Sequence, residues 1–310
     1  MTDLRLDLLT DWLAHFFGDE NFVITSASDD ASFRRYFRIE RNNATFIAMD
    51  APPEKENSDT FIKIATLLNA NNIYAPKIIE TDLVQGFLLL EDLGNVTFLQ
   101  ALNENNRINL YKKAINELIK IQKIDYQNKD LPLYDNVLLT NEMQLLIDWY
   151  LPQKKANPSP LLLTDIFQLL SDNAQNSPQV FVHRDYHARN LMVIKEKIAV
   201  IDFQDAVIGS NTYDLCSLLK DAYLELSTDE IQILLRYYHT QAHIKLNFLQ
   251  FEKQFDLMGL QRHLKILGIF KRLSMRDDKH QYLNNIPLVK KYVLQIADKY
   301  PEFAILKVFL

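Results

Sequence analysis

The chain is poor in cysteine and in glycine, with one cysteine and six glycines among 310 residues. Cys216 lies in the apolar run YDLCSLL, which excludes a disulfide framework and a cysteine metal site and predicts a cytoplasmic protein. No apolar stretch is long enough to cross a bilayer. The N-terminal MTDLRLDLLTDWLAHFF mixes charged and apolar residues, which predicts an amphipathic helix and not a targeting signal.

An excess of positive charge is also missing. Lysine and arginine number 34 against 40 aspartates and glutamates, a net charge of −6, and the basic residues are scattered. This balance argues against nucleic acid or a membrane surface as a partner and favours a small molecule. The length allows one large domain or two lobes, and the sequence leaves the oligomeric state open, with a monomer compatible.

Hydrophobic patterns predict a small β-rich part followed by a helical part. Runs rich in Phe, Ile, Val and Thr predict strands at 22–27, 33–40, 44–50, 76–80 and 86–91, with a helix over 59–70. Amphipathic spacing then predicts helices near 105–124, 139–151, 161–172, 212–226, 229–243 and 247–273, interrupted by β-type runs at 180–202. The order indicates an α+β fold of two lobes, 1–91 and 92–310, with a hinge at 91–94.

The stretch FVHRDYHARNLMVI, residues 181–194, concentrates polar side chains between two apolar runs. His183, Asp185 and Asn190 follow the spacing H-x-D-x-x-x-x-N, and Asp202 ends the apolar run IAVID. Phosphoryl transfer from a nucleotide needs oxygen ligands for Mg²⁺ and a carboxylate that takes the proton of the attacking hydroxyl. We therefore predict ATP as donor, Asn190 and Asp202 as Mg²⁺ ligands, and Asp185 as the catalytic carboxylate.

Four neighbouring polar residues allow other roles. Asp214, before the apolar run LCSLL, is predicted to cap a helix or to brace the catalytic loop through backbone hydrogen bonds. Asp205 is a candidate for a second Mg²⁺ or for the acceptor, with a structural role as the alternative. Arg184 and His187 are predicted to be scaffolding.

The motifs H-x-D-x-x-x-x-N, I-D-F and G-x-x-x-Y-D-L together resemble the aminoglycoside phosphotransferase and choline kinase-like family over essentially the whole chain. The resemblance implies a two-lobed fold similar to that of protein kinases, with a nucleotide-binding first lobe. The segments DASFRRYFRIE, GFLLLEDLG and QRHLKILGIFKRLSMRDDKHQYL are similar to bacterial kinases of N-acetylmuramate and N-acetylglucosamine. That similarity implies an ATP-dependent sugar 1-kinase of peptidoglycan recycling.

The nucleotide site departs from the protein-kinase pattern at two places. The hairpin before the third strand has no glycine to cover the phosphates of ATP. The candidates for contacting these phosphates are therefore Ser32, Arg34, Arg35 and Arg38. Asp50 stands where a protein kinase has its phosphate-binding lysine. We hypothesise that at least one of the arginines replaces that lysine, because a guanidinium binds phosphate bidentately. The alternative is that the arginines decorate the outer face of the hairpin.

GFLLLEDLG is interpreted as the hinge, where backbone groups near Glu91 and Leu93 would hydrogen-bond the adenine edge. The segment QRHLK, residues 261–265, is predicted to bind the acceptor, the molecule that receives the phosphoryl group. N-acetylmuramate carries a lactyl carboxylate, which favours a positive charge such as Arg262, His263 or Lys265. The alternative is a solvated basic helix face.

Two other functions stay open at this level. The first is a kinase for another small hydroxylated metabolite, such as an amino alcohol, an aminoglycoside or a different sugar. The second is a nucleotide-binding pseudokinase scaffold, which the absent lysine and glycines would suit. The presence of Asp185, Asn190 and Asp202 argues against the scaffold.

Overall fold

A computed structural model describes residues 3–28, 33–127, 130–153 and 160–310. The chain forms two compact units: Met1–Val96 with Met192–Gln204, and Thr97–Leu191 with Asp205–Leu310. The predicted lobes differ from these units in two ways. The first unit extends to Val96, and it takes in a segment from the second half of the chain.

The first unit is built on a five-stranded antiparallel sheet in the order β1-β2-β3-β5-β4. Its elements are α1 (Leu4–Phe17), β1 (Val23–Ser28), β2 (Arg35–Arg41), β3 (Ala44–Asp50), α2 (Ser58–Ala70), β4 (Ile78–Asp82) and β5 (Phe87–Glu91). The amphipathic α1 buries Leu9 and Leu13 against Ile39, Phe87 and Leu89 of the sheet. The predicted strands and both predicted helices of this part are confirmed.

The segment that joins the first unit from later in the chain is a β-hairpin. The second strand of this hairpin, β8 (Lys197–Val200), pairs with β7 (Leu191–Ile194). Lys195 and Glu196 connect them with φ angles of 45° and 72°, the left-handed backbone that a tight two-residue turn requires. Met192 and Ala199 of this hairpin pack with Leu93.

The second unit is mostly helical. Its elements, in chain order, are α3 (Phe98–Ala101), α4 (Arg107–Gln122), α5 (Asn136–Leu145), α6 (Pro160–Gln175), β6 (Gln179–Val182), β9 (Val207–Ser210), α7 (Tyr213–Leu219), α8 (Thr228–Gln241), α9 (Phe248–Arg276) and α10 (Ile286–Lys299). One turn of π-helix, Leu146–Tyr150, extends α5. Within the described ranges, none of the helices combines the length and apolar character that a bilayer span needs.

The predicted helix over 212–226 is wrong beyond residue 219, where α7 ends. Two residues later the Asp221 carboxylate accepts hydrogen bonds from the backbone N–H groups of Ala188, at 3.0 Å, and Tyr223, at 2.9 Å. Side-chain bonds of this kind compete with the helical ladder. The chain therefore leaves the helix although its apolar periodicity continues.

Candidate active site

The loop 183–190 is held between two strands, as predicted. β6 ends at Val182, which pairs with Val207 of β9, and β7 begins at Leu191. Within the loop the N–H of His187 and the side-chain amide of Asn190 both donate to the carbonyl oxygen of Asp185, at 3.0 and 3.2 Å. These bonds fix the backbone around Asp185 and orient the Asn190 amide.

Asp214 braces the start of this loop. Its carboxylate oxygens accept hydrogen bonds from the N–H groups of His183, at 2.7 Å, and Arg184, at 3.0 Å. Burial raises the pKa of the Asp214 carboxyl to about 7. The predicted brace is confirmed, whereas α7 has Thr212 as its N-cap residue and no side-chain cap. Arg184 has a φ of 74°, a costly left-handed backbone for a non-glycine residue, which this brace helps to hold.

Asp221 braces the other end of the loop through Ala188. The carbonyl oxygen of Ala188 accepts a further bond from Leu99 N–H at 3.1 Å, and the Tyr186 hydroxyl donates to the Ala114 carbonyl at 2.8 Å. No motif in the sequence pointed to Asp221, because its partner lies 33 positions away. The catalytic loop is therefore fixed from several elements of the second unit.

A cavity of about 90 Å³ opens beside Asp185 within the second unit. Its polar wall includes Asp185, Arg262 and Lys265, and its apolar wall includes Ile266 and Phe270. His187, Tyr213, Ala222, Tyr223 and Ile269 complete the lining. Arg262 and Lys265 lie three residues apart on α9, so they share a helix face, as predicted.

Glu142 connects the cavity wall to the catalytic loop. Its carboxylate accepts a hydrogen bond from Lys265 Nζ at 2.8 Å and pairs with the guanidinium of Arg184. Lys265 Nζ also reaches the Tyr213 hydroxyl at 3.2 Å. Burial acts to raise the pKa of Glu142, but the charges of Lys265 and Arg184 outweigh it and hold the pKa low. No sequence motif marked Glu142, whereas Arg184 pairs with it as part of the predicted scaffold.

Electrostatics favour the ionised form of Asp185. Burial acts to raise the pKa of this carboxyl, but the positive charges around it, Lys265 foremost and Arg262 among the others, lower it below its ordinary value. Asp185 is therefore a carboxylate at neutral pH and can accept a proton or a hydrogen bond from a hydroxyl group.

The other residues predicted for the acceptor lie away from the cavity lining. His263 Nε2 hydrogen-bonds the Lys220 carbonyl at 2.9 Å, and its ring stacks on Tyr292 with centroids 4.9 Å apart. Asp205 is exposed, and its carbonyl oxygen accepts from Arg184 at 3.4 Å. Arg262 and Lys265 are 4% and 9% exposed, so the alternative of a solvated basic face is wrong for this segment.

Each of the three predicted nucleotide-binding arginines pairs with a carboxylate of the first unit. Arg34 pairs with Glu56 at 2.8 Å and Arg38 pairs with Asp92 at 2.7 Å. Arg35 faces Asp50 across the β2–β3 pair and contacts it at 2.6 Å. A nucleotide phosphate bound by any of them would share the guanidinium with a carboxylate. Ser32 lies outside the described residues.

Asp50 anchors guanidinium groups where a protein kinase has its lysine. Its carboxylate is fully buried and forms ion pairs with the guanidinium groups of both Arg35 and Arg5. The sign of the charge at this position is therefore reversed, and two arginines supply the positive charge beside it. The sequence marked the missing lysine but gave no sign of Arg5.

The predicted hinge residues are held by neighbours in the first unit. Glu91 donates its backbone N–H to the Lys77 carbonyl at 2.8 Å and accepts a bond from the Tyr74 hydroxyl at 3.1 Å. Leu93 is buried in the cluster with Met192 and Ala199. Asp202, also in this unit, has a φ of 63° and accepts a bond from Gln204 at 2.9 Å.

Three comparisons place the chain among known proteins. Residues 23–249 match the model of the phosphotransferase enzyme family. The N-acetylmuramate/N-acetylglucosamine kinase of Pseudomonas putida is 39% identical over 97% of this chain and 94% of its own length. The enzyme of the same name from Pseudomonas aeruginosa is 41% identical over 90% of this chain and 85% of its own.

Solved structures share the fold at low identity. Choline kinase LicA from Streptococcus pneumoniae has a TM-score of 0.67 at 12% identity, covering 94% of this chain and 99% of its own. Plasmodium vivax ethanolamine kinase has a TM-score of 0.66 at 15% identity, and the match covers 92% of this chain and 84% of the kinase. These likenesses confirm the predicted α+β, protein-kinase-like fold.

Proposed function

This chain belongs to the phosphotransferase enzyme family, and on that premise we propose that it is an ATP-dependent kinase of an N-acetylated amino sugar. The acceptor is N-acetylmuramate or N-acetylglucosamine, and the product is the sugar 1-phosphate, formed in the cytoplasm during peptidoglycan recycling. The names of the two Pseudomonas relatives support the substrate class. The observation that carries the proposal is the ionised Asp185 beside a cavity with cationic walls.

Asp185 is assigned the role of catalytic base. The anomeric hydroxyl donates a hydrogen bond to its carboxylate, which orients the oxygen toward the γ-phosphorus of ATP. The new bond forms between this oxygen and phosphorus, the bond from phosphorus to the β-γ bridging oxygen breaks, and ADP leaves. The hydroxyl proton passes to Asp185. Because the anomeric hydroxyl is more acidic than an ordinary alcohol, an Asp with a low pKa suffices for this task.

Asn190 and Asp202 are the proposed ligands of Mg²⁺. The part of the chain that the structure describes contains no cluster of three carboxylates, imidazoles or thiols that would bind a metal alone. Mg²⁺ keeps water and substrate phosphates among its oxygen ligands, and the amide oxygen of an Asn and the carboxylate of an Asp are protein ligands of that kind. When bound, it would neutralise charge on the β- and γ-phosphates.

The nucleotide contacts are proposed from the first unit. Backbone groups near Glu91 and Leu93 would meet the adenine, and Ser32 with Arg34, Arg35 or Arg38 would meet the phosphates. Arg35 suits the role of the missing lysine best, since its side chain is 38% exposed and it lies opposite Asp50.

The charge of the cavity disfavours a cationic acceptor. Arg262 and Lys265 both line it, and a bound choline, ethanolamine or aminoglycoside would place a further positive charge beside them. The apolar side chains of Ile266 and Phe270 suit the methyl of an N-acetyl group and the C–H face of a sugar. The amino-sugar assignment is therefore preferred over an amino-alcohol kinase.

Release of ADP from Mg²⁺-ATP tests the substrate class. We expect ADP formation to require N-acetylmuramate or N-acetylglucosamine and to stay at background with choline, ethanolamine or kanamycin. ADP formation with choline but with neither sugar would overturn the assignment. ATP binding without turnover of any acceptor would favour the pseudokinase.

A further inference from the structure

We propose that Arg262 is the binding site for a carboxylate of the acceptor, so that the cavity selects an anionic amino sugar. The identity of the acceptor as a sugar rests on the proposed function. The carboxylate site itself rests on the state of the Arg262 side chain.

Two nitrogens of the buried Arg262 guanidinium lack a hydrogen-bond partner. Arg262 lies on α9, is 4% exposed, and lines the cavity with Asp185. Its Nε and Nη1 groups are fully enclosed, and neither donates to any of the residues that the structure describes. A buried donor that lacks an acceptor is unfavourable, so these two nitrogens call for a missing hydrogen-bond partner. A bound anion would supply that partner.

The second cation of the wall is already satisfied. Lys265 Nζ donates to Glu142 at 2.8 Å and to the Tyr213 hydroxyl at 3.2 Å. Arg184, the other basic residue near this network, pairs with the same Glu142. Arg262 is therefore the cation of the cavity wall whose N–H groups are available to a bound ligand, whereas Lys265 is held in place by the protein.

Neighbouring carboxylates are committed to other tasks. Both oxygens of Asp221 accept backbone N–H groups, from Ala188 and Tyr223. Asp185 has to meet the acceptor hydroxyl. Because Asp185 and Arg262 line one cavity, a single acceptor can place its hydroxyl at Asp185 and a carboxylate at Arg262. A planar guanidinium matches a carboxylate bidentately, which gives strength and orientation.

The chemical class that fits is an N-acetylated amino sugar with an acidic substituent. N-acetylmuramate has the lactyl carboxylate, and N-acetylglucosamine lacks it. The structure thus assigns a preference between the two sugars to one side chain. A second reading, in which Arg262 binds the transferred phosphoryl group, predicts no such preference.

Calorimetric binding without nucleotide tests the site directly. The ligands are N-acetylmuramate and its lactyl methyl ester, which lacks the negative charge and carries one added methyl group. We expect the parent protein to bind the acid roughly 10- to 100-fold more tightly than the ester, the range for a charge-assisted hydrogen-bonded pair. In Arg262→Gln the ratio should fall toward one, and Arg262→Lys should retain part of it.

Arg272→Gln is the matched control, because Arg272 lies on α9 but outside the cavity lining. It should keep the parent's ratio. Melting temperatures check that each variant is folded. An unchanged ratio in Arg262→Gln, or no binding of the acid by the parent protein, overturns the proposal.

Turnover separates this inference from the proposed function. A binding ratio that depends on Arg262 without phosphorylation of either sugar would refute the kinase assignment and leave the carboxylate site standing. If Arg262→Gln lowered turnover of acid and ester by the same factor and left their binding ratio unchanged, Arg262 would act on the phosphoryl group. That result would refute the carboxylate site.

Discussion

At the residue scale, Glu142 shows how one buried carboxylate organises two parts of the site. It receives Lys265 from the cavity wall and Arg184 from the catalytic loop, immediately before Asp185. Glu142 therefore connects the cavity wall to the catalytic loop and holds Lys265 in place, where the charge of Lys265 also lowers the pKa of Asp185.

The buried imidazole of His263 should make the stability of the protein depend on pH. Burial, reinforced by the charge of Arg262, lowers its pKa from 6.5 to about 3. Above pH 6.5 the imidazole is neutral in both the folded and the unfolded chain. As the pH falls from 6.5 toward 3, only the unfolded chain takes up the proton, so stability that is present above pH 6.5 is lost.

We predict that His263→Gln flattens this acid dependence. A glutamine can still donate to the Lys220 carbonyl but cannot titrate. Between pH 7 and pH 5 the variant should lose about 2 kcal/mol less unfolding free energy than the parent, at about 1.4 kcal/mol per pH unit below 6.5. Urea unfolding at the two pH values measures it. Equal losses in both proteins would refute a neutral buried imidazole.

Residue spacing predicted the centre of the site but not its supports. His183, Asp185 and Asn190 lie within eight positions, so a local motif marks them as candidates, and Asp214 was predicted either to cap a helix or to brace the loop. Glu142 and Asp221 act on residues 42 and 33 positions away in the chain. Tertiary packing decides such pairs, and no local pattern marks them.

At the element scale, α9 is the helix on which the acceptor side depends. It runs over 29 residues and buries side chains on all sides between Phe255 and Gly268. Its polar residues in this stretch are therefore inside the protein, in a segment for which a solvated basic face was the alternative to an acceptor site. Gly268 permits close packing against the end of α5, since a Cβ atom there would lie 2.3 Å from the Leu145 carbonyl carbon.

Paired glycine substitutions on α9 test this packing. Gly268→Ala should destabilise the protein by about 3 kcal/mol, the upper end of the cost of overpacking, because the new methyl meets backbone that cannot rotate away. Gly259→Ala should be stabilised by up to about 1 kcal/mol, because alanine favours the helix and its nearest neighbour is the Cys216 sulfur at 3.7 Å. Denaturant unfolding measures both. Equal stability of the two variants would contradict the close contact.

Most helices and strands were predicted from the periodicity of hydrophobic residues in the sequence. Alternation and β-branched composition predicted the sheet, and spacing of three and four predicted α2, α4 and α8. The predicted helix over 212–226 was wrong beyond α7, where the Asp221 side chain accepts hydrogen bonds from backbone N–H groups. The periodicity also gave no sign of the π-helical turn at Leu146–Tyr150, because the apolar pattern of the turn continues that of α5.

At the scale of the whole molecule, net charge and site charge have opposite signs. The chain carries −6 overall, yet its cavity presents Arg262 and Lys265. The matched family region ends at residue 249, whereas both cations lie beyond it on α9. The part that matches the family therefore contains the catalytic loop, and the part that follows supplies the wall that we propose selects the acceptor.

The most direct test of the central claim is ³¹P NMR of the protein with Mg²⁺-ATP and each amino sugar. We predict a new sugar phosphate signal split by the single anomeric proton. The signal should be lost with Asp185→Asn, whose turnover should fall roughly 10²- to 10⁴-fold because the base is gone. A phosphate signal coupled to other protons, no sugar phosphate at all, or undiminished product with Asp185→Asn would contradict a sugar 1-kinase acting through Asp185.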